Sequence, residues 1–242
     1  MTHPSPVICV DGPSGAGKGT LSQHLARVLG WHLLDSGALY RVVGFACRHD
    51  AVALEDSDAV SDIARTLDVS FRPGDAGVSV WLAGKDVTSG IRSEEGGRDA
   101  STVAALPAVR AALLLRQQEL ARPPGLVADG RDMGTVVFPE APLKIFLTAS
   151  AEARAERRFH QLQGMGESVS LARLLTDIQE RDARDQSRTV SPLVPAEDAI
   201  VIDSTKLSAD EVLRAVCDLA GSRELLSDAS ESRLDPADAS RQ

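Results

Sequence analysis

The chain has 242 residues, of which 43% are hydrophobic and 25% charged, with a net charge of −9. That composition supplies a core for one globular domain with an insert or a short appendage, and excludes a largely disordered chain. The acidic balance argues against a nucleic-acid polymer or an anionic membrane as partner, and no apolar run approaches the roughly 18 residues of a membrane span.

The segment Met1-Thr2-His3-Pro4-Ser5-Pro6 has no basic region of the kind that opens a signal peptide, and the apolar stretch behind it stops at Asp11. Three scattered cysteines, Cys9, Cys47 and Cys217, do not make a disulfide framework or a zinc site, so a reducing, cytoplasmic location is expected. The first apolar run, Val7-Ile8-Cys9-Val10, reads as a buried strand. It runs directly into Gly12-Pro13-Ser14-Gly15-Ala16-Gly17-Lys18-Gly19-Thr20, which opens a helical stretch over 18–29. Glycines let consecutive backbone N–H groups converge on phosphate oxygens, and the helix N-terminus adds partial positive charge. Lys18 then reaches the β- and γ-phosphates as a point charge. The position after the lysine, usually Ser or Thr, is Gly19, with Thr20 next. No direct Mg²⁺ ligand is assigned; the metal is expected to be held by waters and substrate phosphates, with Asp129 in reach through water.

The second strand, His32-Leu33-Leu34, ends at Asp35 and precedes a helix over 38–49. Ser36 is placed to cap that helix and Arg41 lies on its second turn; together they make either a second anion site or only a cap and a surface arginine. Residues 67–97 break the rhythm. Val69-Ser70-Phe71-Arg72 and Val78-Ser79-Val80-Trp81-Leu82 alternate around Pro73-Gly74-Asp75-Ala76-Gly77, a hairpin signal that predicts a small β-rich insert over 67–98. A helix over 107–121 follows, then the strand Leu126-Val127-Ala128 ending at Asp129, which is either a metal-side carboxylate or a strand-end turn residue. After the strand Lys144-Ile145-Phe146-Leu147, a helix over 151–163 carries Arg154, Arg157 and Arg158, which as bare sequence could equally be a solvated helical face.

The next helix, 171–188, places Leu171, Leu174, Leu175 and Ile178 on one side, and the same side continues as Arg181, Asp185 and Arg188. An ordinary solvated face lies opposite the leucines, so charges in line with them point to a ligand cleft or to a salt-bridge network. A last strand, Ala199-Ile200-Val201-Ile202, and a helix over 209–222 close the fold, and residues 223–242 are expected to be a disordered tail. Four of the five strands end at Asp11, Asp35, Asp129 and Asp203, where open α/β sheets bind ligands. The alternation predicts a P-loop-type parallel five-stranded sheet flanked by helices. The core is expected over 1–66 and 99–222.

A guanine-reading switch requires an Asn-Lys-x-Asp motif, and the sequence contains no asparagine. A small kinase remains. The phosphate loop, Leu33-Leu34-Asp35-Ser36-Gly37-Ala38-Leu39-Tyr40-Arg41, the block Asp129-Gly130-Arg131-Asp132-Met133-Gly134-Thr135-Val136-Val137-Phe138-Pro139, and Arg181-Asp182-Ala183-Arg184-Asp185-Gln186-Ser187-Arg188 together resemble the bacterial cytidylate kinases, in order and over nearly the whole chain. The phosphate loop alone would indicate only a P-loop enzyme; the Asp-Gly-Arg-Asp-Met-Gly block and the β-rich insert are the specific part.

The resemblance implies transfer of the ATP γ-phosphoryl group to CMP and dCMP, with a P-loop fold, an insert that binds the monophosphate, a short lid at about 154–168 and Mg²⁺. It assigns residues 12–20 with Arg154 and Arg157 to ATP. It assigns Lys18, Arg131, Arg158 and Arg188 to charge neutralisation during transfer. Arg41, Arg131 and Arg188, with Ser36, fall to the acceptor phosphate; Ser101, Arg110 and Asp132 to the cytosine edge; and Arg181 and Asp185 to the pentose. Gly96-Gly97 stands where the family pattern has an apolar residue, so a loosened junction is expected before Ser101. A monomer is the expected state. A small P-loop kinase for UMP, AMP or a small hydroxyl metabolite, and a nucleotide-binding regulator without turnover, are the competing readings.

Overall fold

The computed structural model describes residues 5–74, 77–164, 166–188 and 190–226. Of the expected tail, 227–242 lies outside the described residues. In chain order the elements are β1 (Val7–Asp11), α1 (Lys18–Leu29), β2 (His32–Asp35), α2 (Ser36–His49), α3 (Ser57–Thr66), β3 (Val69–Gly74), β4 (Gly77–Leu82), β5 (Lys85–Asp86), α4 (Thr88–Ile91), α5 (Glu94–Val103) and α6 (Pro107–Gln118). They continue as β6 (Leu126–Asp129), a single π-helical turn (Met133–Val137), β7 (Leu143–Thr148), α7 (Ala151–Gly164), α8 (Leu171–Gln186), β8 (Ile200–Asp203) and α9 (Ala209–Gly221). The chain gathers into two compact units, Met1–Leu34 with Leu120–Gln242, and Asp35–Glu119.

The first unit is built on a five-stranded parallel sheet in the order β2-β6-β1-β7-β8, as the sequence predicts. Its central strands are apolar without alternation because both faces are covered: Val7, Ile8, Cys9 and Val10 are all buried. On one face, Ile8, Val10, Val127, Ile145 and Leu147 pack against Leu21, Leu25 and Val28 of α1 and Val212 and Val216 of α9. The register sets Val10 beside Asp129 and Asp11 beside Phe146, so the carboxyl ends of β1 and β6 stand together at one edge. A second cluster, Ala155, Leu162 and Leu174 with Phe159, Leu175 and Ile178 against it, joins α7 to α8. The apolar stripe of α8 therefore packs inward, against α7, except that Leu171, in the first turn, is 40% exposed.

In the second unit the predicted hairpin is present. β3 and β4 pair antiparallel from Val69↔Leu82 to Gly74↔Gly77, and β5 adds a short third strand. The sheet ends at Asp86, and the rest of the segment expected as a β-rich insert carries α4 and the start of α5. The expected junction at Gly96 and Gly97 is helical. They lie inside α5, where the Ser93 hydroxyl accepts the Gly96 N–H at 3.0 Å and caps the helix. A good N-cap thus outweighs the low helix propensity of two glycines.

Candidate active site

Strand β1 delivers the chain into the phosphate loop under tight backbone constraint. Gly12 has φ 143°, and a Cβ there would lie 1.9 Å from the Leu147 carbonyl oxygen, so only glycine fits. Gly17 stands at the N-cap of α1 in a left-handed conformation and supplies no side-chain cap to the first N–H groups of the helix. Lys18, the first residue of α1, is 7% exposed and its Nζ donates to the Pro13 carbonyl at 2.9 Å across the loop. Burial lowers its pKa to about 8; Asp129 and Asp11 pull it back up, and Arg131 and Arg181 push it further down. Those influences place Lys18, Asp129, Arg131 and Arg181 within one electrostatic neighbourhood. A Cβ on Gly19 would stand 3.7 Å from the Asp129 carboxylate, so the residue that replaces the usual hydroxyl faces that acid.

Helix α8 contributes the next layer. Asp185 is 1% exposed, and its two oxygens accept from Arg131 Nε and Arg188 Nη2, each at 2.5 Å. Burial alone would raise this carboxyl, but Arg131, Arg188 and Arg181 together hold it below its ordinary value. The in-line continuation of the leucine stripe therefore ends in a buried ionic cluster. Arg154, on α7, is 4% exposed; it donates to the Ser14 carbonyl of the phosphate loop at 3.0 Å and makes a bidentate pair with Asp182. Arg157 donates to the Ser204 carbonyl, and Arg158 to Gln161 on its own helix.

Behind the phosphate loop lies a pocket of ≈ 320 Å³ lined by Gly17, Thr20, Leu21, Arg157, Ser204, Leu207, Ser208 and Val212, among others. Ser204 is buried, with Oγ 3.1 Å from the Ala16 carbonyl and 3.0 Å from that of Thr148, which ties the β8–α9 loop to the phosphate loop. Sequence reading passed over Ser204, Leu207 and Ser208. The usable signal was the Ser208–Glu211 capping box, formed in the structure, which fixes where α9 starts.

In the second unit, Asp35 caps α2 by accepting the Ala38 N–H at 2.9 Å. Ser36, expected to cap, is instead the buried first residue of the helix, because α2 begins two residues earlier than the sequence suggested. Arg41 donates to the carbonyls of Ile91 and Ser93 at 2.7 and 3.2 Å. Arg110 is buried, donates to the Ala104 carbonyl and stands 5.6 Å from the Tyr40 ring. The Ser101 hydroxyl is buried and has no hydrogen-bond partner among the described residues.

The comparisons with known proteins settle the family. The family model for cytidylate kinase matches residues 8–222. The chain belongs to the cytidylate kinase family. It is 56% identical over 96% of its length to a cytidylate kinase of Aeromonas salmonicida (strain A449), all of which is covered. It is 57% identical to one from Stutzerimonas stutzeri (strain A1501), over 93% of this chain and 99% of that one. Membership makes the chain an ATP-dependent nucleoside monophosphate kinase, a phosphotransferase. No helix among the described residues is long and apolar enough to cross a membrane.

The kinases of this class work on nucleotides that carry a divalent metal. Among the described residues no group of three or more His, Cys, Asp or Glu could hold a metal ion, and Asp129 is the carboxylate beside Gly19 and Lys18. A single carboxylate there is of the kind that would meet a nucleotide-borne metal through water.

Proposed function

We propose that the chain transfers the γ-phosphoryl group of Mg·ATP directly to CMP and dCMP, giving ADP and CDP or dCDP. The observation that carries this reading is the clustering of Lys18, Arg131, Arg181 and Arg188 about Asp129 and Asp185 at the carboxyl ends of β1 and β6. Phosphoryl transfer asks the protein for positioning and charge neutralisation rather than covalent chemistry, and this cluster provides both.

The pocket beside Thr20, Arg157 and Ser208 takes the base of ATP, and the loop over residues 12–20 takes its phosphates. Asp129 would hold Mg²⁺ through water, and the metal would supply neutralisation of phosphate charge. Arg131 and Arg188, oriented by Asp185, meet the acceptor phosphate. A contact of Asp185 with the pentose, beside Arg181, adds to that pairing and does not replace it. Asp132 is a buried carboxylate suited to the exocyclic amino group of cytosine, which donates where uracil presents an acceptor. In the other unit, Ser36 and Arg41 are assigned to the phosphate, and Ser101 and Arg110 to the base. Arg154 supports the phosphate loop through Ser14, and Arg158 stays with the transferring group. The protein works as a cytoplasmic monomer without a nucleic-acid partner.

The test is ADP release from Mg·ATP with CMP, dCMP, UMP, AMP, GMP and shikimate. Strong turnover confined to CMP and dCMP is expected. Turnover with another acceptor instead would keep the phosphate loop and discard the assignments of Arg110 and Asp132. ATP binding with no turnover would leave a regulatory protein.

A further inference from the structure

Arg131 and Asp132 occupy a short stretch of chain pinned at both ends by consecutive residues of β1. On one side the Gly130 N–H donates to the Val10 carbonyl at 3.0 Å, a continuation of the β1–β6 ladder. On the other, the Asp11 carboxylate accepts two N–H groups at once, Met133 at 2.9 Å and Gly134 at 2.8 Å. These N–H groups open the π-helical turn, in which Val136 and Val137 both donate to the Asp132 carbonyl and Phe138 donates to Met133. A π turn is an uncommon conformation that needs outside support and often marks a functional position. Asp11, on the strand end, supplies that support as a cap would.

The turn is held from a second side by the stem of Lys144, on β7. A Cβ on Gly134 would lie 3.0 Å from Lys144 Cδ and 3.5 Å from the Asp11 carboxylate. The Lys144 ammonium is committed elsewhere, to the Pro139 carbonyl and Asp198. We infer that Asp11 is a positioning residue for substrate selection: its paired hydrogen bonds to Met133 and Gly134 set the direction of the Asp132 side chain and so determine preference for CMP over UMP. The inference rests on the proposed base-reading role of Asp132. Burial raises the Asp11 pKa to about 6 while the two N–H bonds hold it down, so near neutral pH the group is the carboxylate that can accept both. The other charges it faces are Asp132 and, from α1, Lys18.

The experiment measures kcat/KM for CMP and for UMP at neutral pH in Asp11→Asn, Asp132→Ala and the double variant, with ATP KM alongside. The Asn oxygen accepts one N–H, but its amide NH₂ opposes the other, so one tie is lost. Asp11→Asn is expected to lower the CMP:UMP ratio at least tenfold while ATP KM moves less than about threefold. In the Asp132→Ala background it should change the ratio no further. A ratio that stays at the wild-type value while both substrates decline together would reduce Asp11 to a structural residue and overturn the inference. If Asp132→Ala itself keeps the ratio, the base-reading role falls first and takes this inference with it. If Asp11→Asn does not fold, Gly134→Ala decides: its new methyl presses on the Lys144 stem and should cost the ratio severalfold, and an unchanged ratio there is equally fatal.

Discussion

Replacing Lys18 by methionine is expected to lower kcat about 10³-fold, the size of effect seen when one preorganised charge at a developing anion is removed. Tm should not fall, because a buried cation that costs desolvation is exchanged for an apolar stem of similar length. The pH dependence carries the sharper test. With a pKa of about 8 in the protein, Lys18 loses its proton as pH rises through that value, so wild-type kcat/KM for ATP should decline on the alkaline side. Bound phosphates favour the ammonium, so the corresponding limb in kcat shifts to higher pH. Stability runs the other way. Between about 8 and the ordinary 10.5 the unfolded chain binds the proton that the folded chain has released, so this group makes the fold more stable as pH rises. Steady-state kinetics and thermal melts over this range check both slopes. A flat kcat/KM profile, or a methionine variant keeping a tenth of wild-type kcat, would remove Lys18 from the transfer step.

Much of this arrangement is legible in the sequence, for identifiable reasons. Parallel strands buried on both faces leave continuous apolar runs, so Val7-Ile8-Cys9-Val10 and Lys144-Ile145-Phe146-Leu147 announce themselves. The strand ends announce the functional edge, since Asp11 and Asp129 arrive there through the β1–β6 register. The stripe on α8 was readable because helical periodicity does not care whether the inward residue is apolar or charged. What sequence reading could not give was the partner of each charge. That Asp185 joins Arg131 to Arg188 depends on a contact 54 residues apart in the chain. Nothing local announces that Asp11 caps a turn beginning at Met133 either, because the bonds cross from one strand to the loop after another. The N-terminus of α2 was misplaced for a smaller reason: Asp35 and Ser36 are both good caps, and only the folded backbone decides between neighbours. Helices α4 and α5 went unread because Gly96-Gly97 suggested a junction, and the capping of Gly96 by Ser93 overrode that propensity.

An acidic protein with two polyanionic substrates is consistent with this geometry. Surface charges more than about 10 Å from the site are screened at ordinary ionic strength, whereas the buried cluster around Lys18 is not. The same burial makes the cluster costly to assemble, and three of its cations are given an oxygen within the protein: Lys18 that of Pro13, Arg131 and Arg188 those of Asp185. These contacts hold the groups in place so that little reorganisation remains for the transfer itself.

Replacing Asp185 by alanine should therefore be the most damaging change to the fold among the site residues. It leaves Arg131 and Arg188, with side chains 16% and 7% exposed, facing each other without the carboxylate that both donate to. Removing one partner from a buried ionic group costs about 3–5 kcal/mol, and urea unfolding should show a loss of that order. Removing Arg188 as well should recover part of it, since the double variant no longer buries two like charges together; a double-mutant cycle measures the coupling. The wild-type contribution has a defined pH window. The arginines hold the Asp185 carboxyl below its ordinary value of 3.8, so its stabilisation is fully present above that value and is lost as pH falls through the lower folded-state value. Kinetically, two effects oppose each other. Loss of the negative charge strengthens the pull of both arginines on a phosphate, and loss of the tether loosens their placement. In ground-state binding these offset, so CMP KM should move less than about tenfold. In the transition state alignment dominates, and kcat should fall about 10²-fold, the cost of a misplacement near 1 Å. A variant that unfolds at the wild-type urea midpoint with unchanged kcat would mean that Asp185 neither holds the arginines nor aligns them.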